Sequence, residues 1–192
     1  KMKKKLLILF ITFFIAMTLS AEEELFSLSA GISSGIPVYG AGSSTRYDKA
    51  LPGNTRAIFG TVVSVNLNLI KQLTLFAGND NVFDLCWNST EYVHKMHFSF
   101  PLGIKIYPGL GGFDIGLAYT LGFRFDYTNT TEFSEKKEFT SWGNGLKVLV
   151  EYNFAHEGKS KYYPTIGGYW NLMPRGNNSF DNLIVLYISA NF

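Results

Sequence analysis

Between Phe113 and Tyr127 the chain alternates without a break. Phe113, Ile115, Leu117, Tyr119, Leu121, Phe123, Phe125 and Tyr127 are large and apolar, while Asp114, Gly116, Ala118, Thr120, Gly122, Arg124 and Asp126 are small or polar. A period of two places these sets on opposite faces of an extended strand. Strands in soluble domains usually run about 5–6 residues, so a strand of this length needs a different setting. An apolar solvent outside and a confined polar interior meet the requirement.

The same alternation recurs along the chain. Phe26, Leu28, Ala30 and Ile32 alternate with Ser27, Ser29, Gly31 and Ser33, and Val63, Val65, Leu67 and Leu69 with Ser64, Asn66 and Asn68. A weaker strand starts at Leu73 and fades near Asn79. Phe98, Phe100, Leu102, Ile104 and Ile106 then alternate with His97, Ser99, Pro101, Gly103 and Lys105. Leu146 to Phe154, Tyr162 to Leu172 and Ile184 to Phe192 complete the set. Short links are expected at Ile70–Gln72, Pro108–Gly112 and Ala155–Lys161, and longer polar loops at Pro37–Thr55, Asn79–Val93, Thr128–Thr140 and Met173–Asp181. Short turns at one end, long loops at the other and about eight strands predict an all-β fold, a closed antiparallel transmembrane β-barrel. Outward aromatics fall at both strand ends: Phe26, Phe113, Tyr152, Phe154, Tyr162 and Phe192 on the turn side, and Phe123, Phe125, Tyr127, Trp142 and Trp170 on the loop side. Two such girdles suit the two boundaries of a bilayer.

Composition agrees with this reading. The chain is 16% aromatic, has 19 glycines and is only 17% charged, where a soluble domain carries about a quarter. Mean hydropathy is +0.07, since alternation hides apolar surface from any window average. A net charge of +2 and the lack of a basic stripe argue against nucleic acid as a partner. The single Cys86 precludes an internal disulfide.

Lys1, Lys3, Lys4 and Lys5 precede an apolar run from Leu6 to Met17, followed by the small residues of Thr18–Ala21 and three glutamates. That order predicts a signal peptide over residues 1–21, cleaved to leave a barrel domain over 22–192. The run is shorter than the roughly 20 residues a membrane-spanning helix needs.

Two stretches carry a family resemblance. Phe100-Pro101-Leu102-Gly103-Ile104-Lys105-Ile106-Tyr107-Pro108 and the glycine-bearing strand after it resemble the small OmpA-, OmpX- and OmpW-like outer-membrane barrels. The series Leu186, Ile188, Ala190, Phe192 resembles the terminal-strand signal read by the barrel assembly machinery, with Ala190 smaller than the residue common there. The resemblance implies an outer-membrane location, lipids and that machinery as partners, and no cofactor or metal.

Lys105, Asp114, Arg124, Asp126, Lys147 and Glu151 have inward parity and are expected to form a polar network in the lumen, with Lys105 and Asp114 placed to face each other across adjacent strands. An eight-stranded barrel is just wide enough to be filled by side chains, so these charges read as a plug of ion pairs more readily than as a conduction path. His97-x-Ser99 resembles the strand-borne His and Ser of outer-membrane lipid A deacylases, but no orienting acid is evident beyond Glu91. His94 and His97 point to opposite faces. In the long loops, Arg46, Tyr47, Phe83, Trp87 and Tyr92 are candidate contacts for an extracellular ligand. The expected role is therefore non-enzymatic, in surface interaction or envelope integrity. A narrow conduit, suggested by the many small inward residues, and a soluble lipocalin-like binder are the alternatives.

Overall fold

A computed structural model describes residues 25–40, 51, 53–131, 133–154, 163–175 and 180–192. The signal segment expected over residues 1–21 and the loop residues Arg46 and Tyr47 lie outside these. Nine strands are present: β1 (Phe26–Val38), β2 (Thr55–Ile70), β3 (Leu73–Trp87), β4 (Tyr92–Ile106), β5 (Phe113–Thr130), β6 (Phe133–Phe139), β7 (Gly143–Asn153), β8 (Tyr163–Pro174) and β9 (Phe180–Asn191). Each pairs antiparallel with its sequence neighbour, except that β5 pairs with both β6 and β7. The barrel closes where β1 meets β9, from Ser29↔Asn191 to Val38↔Asn182.

Strands β6 and β7 act as one wall strand with a bulge between them. The register on β5 passes from Gly122↔Gly143 to Phe125↔Phe139, so β7–β6 holds one residue more than β5 over that interval. Thr140 fills the irregularity. Its N–H donates to the Arg124 carbonyl (2.9 Å) and its Oγ1 accepts the Arg124 N–H (2.8 Å). Eight walls therefore close the barrel, and the extra residue bends and twists the wall locally, as bulges do.

The tight turn between β4 and β5 needs glycine. Gly109, Gly111 and Gly112 have φ of 80°, 57° and 98°, the left-handed region where a side chain is disfavoured. At the same end lie the β2–β3 turn and both chain-terminal strand ends; this is the near end, and the other is the far end.

Outside and inside are inverted relative to a soluble barrel. Outward Ile32 and Leu186 are 72% and 71% exposed, and apolar residues occupy most outward positions on every wall. Inward stand Arg124, Asp126, Lys147, Glu151, Asp181 and Arg175, all buried. Apolar solvent around the barrel is what this distribution fits.

The structure corrects three of the sequence boundaries. Strand β3 does not fade at Asn79 but runs to Trp87, and the expected Asn79–Val93 loop shrinks to residues 88–91. The misreading came from Asn79, Asp80, Asn81 and Asp84, whose turn-forming character outweighed an alternation that is intact. Phe83, Trp87 and Tyr92 are therefore strand residues of the outer wall, not loop contacts. The Thr128–Thr140 stretch is likewise not a loop throughout, since β5 and β6 form a hairpin there. Finally, β8 runs to Pro174 and β9 starts at Phe180, shortening the expected Met173–Asp181 loop.

Candidate functional site: a filled lumen and a raised rim

The lumen is filled in layers that can be followed along β9: Asp181 at the far end, then Leu183 and Val185, then Tyr187 toward the near end. Strand β3 repeats the order with Asp84, Val82 and Asp80. Two ionic clusters thus lie on either side of an apolar layer.

In the near cluster, Lys105 Nζ donates to Glu151 Oε1 (2.6 Å), and the Tyr187 hydroxyl donates to the other Glu151 oxygen. Lys147 Nζ donates to Asp80 Oδ2 (2.5 Å) and lies 4.2 Å from the Tyr169 ring centroid. A cavity of about 10 Å³ opens among Ser64, Asp80, Lys105, Lys147, Glu151 and Tyr187, on the order of the space one water centre needs. Lys105 does not face Asp114 as its parity allowed. The register sets Lys105 beside Gly116 and Asp114 beside Glu151, so the tilt of the ladder carries the lysine to Glu151.

In the far cluster Arg124 is the hub. It bonds Asp181 Oδ2 through Nη1 (2.5 Å) and holds Asp126 through Nη2 (2.9 Å) and Nε (2.8 Å). Arg175 Nε lies 3.2 Å from Asp181 Oδ1. Tyr39, just beyond β1, reaches in beneath Lys95, whose Nζ is 3.7 Å from its ring centroid, and donates its hydroxyl to Asp84. Arg56 makes two 2.7 Å bonds to the same carboxylate. Gly40 is held too, its N–H donating to Asp181 and its carbonyl accepting from Arg175. These pairs satisfy carboxylates that would otherwise be costly in a closed interior.

The structure therefore brings Lys105 and Glu151 together directly, joins Arg124 to Asp126, and places Lys147 on Asp80. It adds Asp80, Asp84, Lys95, Arg175, Asp181 and Tyr187, which the sequence reading did not single out. Asp80 and Asp84 have the right parity but fall in the expected Asn79–Val93 loop, and Lys95 falls between that loop and the alternation that begins at His97. Tyr39, from β1's far end, and Arg175, from β8's, had no periodic signal at all.

Three inward glycines of β5 and β8 are the complements of large side chains. A Cβ on Gly116 would lie 2.7 Å from Leu149 Cγ, on Gly122 2.5 Å from Met173 Cε, and on Gly167 2.4 Å from Tyr187 Cζ. Each of these glycines, on β5 and β8, makes room for a neighbour's side chain, whereas on β1 a Cβ on Gly31 or Gly35 would meet the β9 backbone at the Ile188 and Ile184 carbonyls.

His97 and Ser99 are both inward and buried, and His94 is on the outer face beside Tyr92. Among the described residues no hydrogen bond joins His97 to Ser99. Ser99 Oγ instead accepts from Asn171 (3.3 Å), and the His97 ring stacks on Tyr39 with its Nδ1 3.9 Å from Asp181. Glu91 is far from that role: it lies in the 88–91 loop and accepts the Thr131 N–H at 2.6 Å. That bond holds its carboxyl below the usual range. Cys86 is buried in β3 with Leu51 and Val93.

At the far end the rim is uneven. The β5–β7 ladder ends at Gly122↔Gly143, but β5 continues to Thr130, paired with β4 on one side and β6 on the other. At about 3.3 Å per residue this raises the sheet by roughly 25 Å along the strand. Its outer face bears a ring ladder: Phe98–Phe123 at 5.1 Å, Phe123–Trp142 at 4.8 Å, Phe125–Phe139 at 4.4 Å and Tyr92–Tyr127 at 4.9 Å between centroids. Leu186, Ile188, Ala190 and Phe192 form the outward row of β9, and Phe192 exchanges two backbone bonds with Leu28.

No protein-family model matches this chain, and no curated protein matches its sequence. Solved structures do match it in shape. The attachment invasion locus protein Ail of Yersinia pestis, in complex with the heparin analogue sucrose octasulfate, superposes with a TM-score of 0.59 at 8% identity over 87% of this chain and 97% of that one. A second structure of Ail gives a TM-score of 0.57 at 7% identity over the same shares. At such identities the likeness shows the fold, and the fold is that of the small eight-stranded outer-membrane β-barrels.

Proposed function

We propose that this chain is an integral protein of a bacterial outer membrane that works without catalysis, through the raised sheet at its far end, on an extracellular ligand or partner. The observation that carries this reading is the contrast between the two halves of the molecule. The lumen is filled by side chains, whereas β4, β5 and β6 extend past the closed part of the barrel and present backbone and side chains beyond it. Among the described residues β6 has only β5 as a sheet neighbour, and an unpaired strand edge is a template for association. The exposed Lys137 lies over the Tyr127 ring at 5.1 Å, a cation and a ring suited to an anionic partner. The sulfated sugar held by Ail makes sulfated glycans the first ligand class to try.

The location is tested by membrane fractionation with a heat-modifiability gel. An inserted barrel resists extraction without detergent and shifts mobility on boiling; a soluble chain with no shift would overturn the assignment. The interaction is tested with vesicles carrying the protein on a heparin-coated surface. Retention should fall to that of empty vesicles when residues 128–137 are replaced by a two-residue turn, and equal retention by the shortened barrel would count against the raised sheet. In planar bilayers the protein should be silent, and discrete conductance would favour a channel instead.

A further inference from the structure

Among the side chains described at outward strand positions, Lys137 is the only charged one. On β4, β5 and β6 the outward residues Met96, Phe125 and Phe139 lie side by side, and the next outward step toward the far end brings His94, Tyr127 and Lys137 into line. Two residues, about 7 Å along a strand, separate a wholly apolar row from one that carries an imidazole, a phenol and an ammonium. Toward the near end the apolar row continues into the rings of Phe98, Phe123 and Trp142. A lysine on the lipid face of a barrel is costly at the middle of the bilayer and nearly free at its boundary, and aromatic belts mark that boundary. The step from Phe125 to Tyr127 fits the passage from hydrocarbon to headgroups.

The polar row belongs to one contiguous cluster. The Tyr92 ring stacks on His94 at 5.0 Å and lies 4.9 Å from Tyr127, and Lys137 Nζ stands 5.1 Å from the Tyr127 ring centroid. Its donors are not used up within the chain. Lys137 is exposed and has no ion pair among the described residues, and the Glu138 carboxylate pairs with Lys136 instead. The half-buried imidazole of His94 and hydroxyl of Tyr92 have no hydrogen-bond partner among those residues either. Glu91, next to Tyr92 in the chain, has its carboxylate on the Thr131 N–H.

We propose that this cluster is a headgroup site, which takes the phosphate of an anionic lipid of the outer leaflet while the acyl chains lie on the rings beneath. The chemistry selects that occupant. An ammonium, an imidazole N–H and a phenol are all donors, and no described carboxylate stands among them, so the cluster calls for an anion. Bonds from a charged donor to phosphate are the strong kind. The apolar row directly beneath calls for hydrocarbon on the same molecule. A soluble anion would meet the donors and leave the rings bare, and a zwitterionic lipid would bring a cation of its own against Lys137. The outward face of the raised sheet is then held by the membrane, and its β6 edge is left for the extracellular partner.

This inference rests on the membrane reading proposed above, and the experiment separates the two. The full mature chain is folded into maltoside micelles, folding is read by heat-modifiability, and retained lipid is read by native mass spectrometry as dioleoyl phosphatidic acid or dioleoyl phosphatidylcholine is added. A single phosphatidic acid should be retained about tenfold more tightly than phosphatidylcholine, the gain of a hydrogen bond to a charged group. The Lys137→Gln/His94→Phe double variant, changed only on the outer face, should fold and lose that preference. Lys71→Gln, in the β2–β3 turn at the near end, should keep it. Inorganic phosphate in excess should not displace the lipid. Equal retention of the two lipids, or a preference that survives the double variant, overturns the headgroup site and leaves the barrel standing. Displacement by inorganic phosphate shows a site for a soluble anion and overturns the lipid as its occupant. A chain that stays soluble without detergent and shows no mobility shift overturns the membrane reading and this inference with it.

Discussion

Arg124 in the lumen and Asn81 on the outer face of β3 both hold polar atoms away from bulk water, but their surroundings differ. Arg124 is enclosed by Asp126 and Asp181, and its neighbours Arg175, Tyr39 and Gly40 extend the same network. Asn81 has Thr61 and Asn79 on one side and phenylalanine rings on the other. In the lumen every charge can be met by another strand of the same chain, because eight walls converge on one axis. On the outside the walls diverge, and only lateral neighbours are within reach. A polar group inside is thus part of the barrel's own packing, while one outside has only its lateral neighbours to satisfy it.

The sharpest way to break this contrast is to remove the lumenal hub. Arg124→Met leaves the buried Asp126 without its guanidinium and Asp181 with Arg175 alone, and should cost about 3–5 kcal/mol, read as a lower urea midpoint of the folded barrel in micelles. A loss under about 1 kcal/mol would mean that water reaches the far cluster. Lys147→Met should cost about 3 kcal/mol for the same reason, and adding Asp80→Leu should recover most of it, since an apolar pair can replace a buried ion pair. Failure of the second change to rescue the first would show that the lysine matters through packing against Tyr169. Gly167→Ala tests how full the lumen is. Its Cβ would collide with the Tyr187 ring, so a cost of about 1–3 kcal/mol is expected, and no cost would reveal slack beside Glu151. On the outer face Thr61→Val should change the stability of the barrel by less than about 1 kcal/mol, as replacing a hydroxyl with an isosteric methyl in apolar surroundings loses one modest bond. A large loss there would place Thr61 in the barrel's own framework.

The smallest effect is expected at the rim. The Glu91 carboxylate accepts the Thr131 N–H and is held below its ordinary range. The link is therefore present above that range and is lost as pH falls through the lowered value. Hydrogen exchange at Thr131 should quicken on acidification, and Glu91→Gln should remove most of that pH dependence; an unchanged exchange profile would show the contact to be incidental.

Alternation alone determined a great deal. The strand faces, the inward parity of Lys105, Arg124, Asp126, Lys147 and Glu151, and a barrel with a filled lumen were all legible, because a two-residue period ties each side chain to one side of the wall whatever its neighbours do. Register and tilt were not legible, since they depend on which residue of one strand meets which of the next. That is why parity allows Lys105 to face Asp114 while the register carries it to Glu151, and why Gly116 reads as open space in the sequence but is a socket for Leu149. Strand ends suffer from a local conflict: Asn79, Asp80 and Asn81 favour turns as isolated residues, and pairing of all three to β2, and of Asp80 and Asn81 to β4 as well, holds them extended. Asn81 illustrates the division well. Its outward direction follows from parity, but its place beside Thr61 and its lack of a further donor exist only once three strands lie in register, because hydrogen-bond satisfaction is a property of the assembled wall.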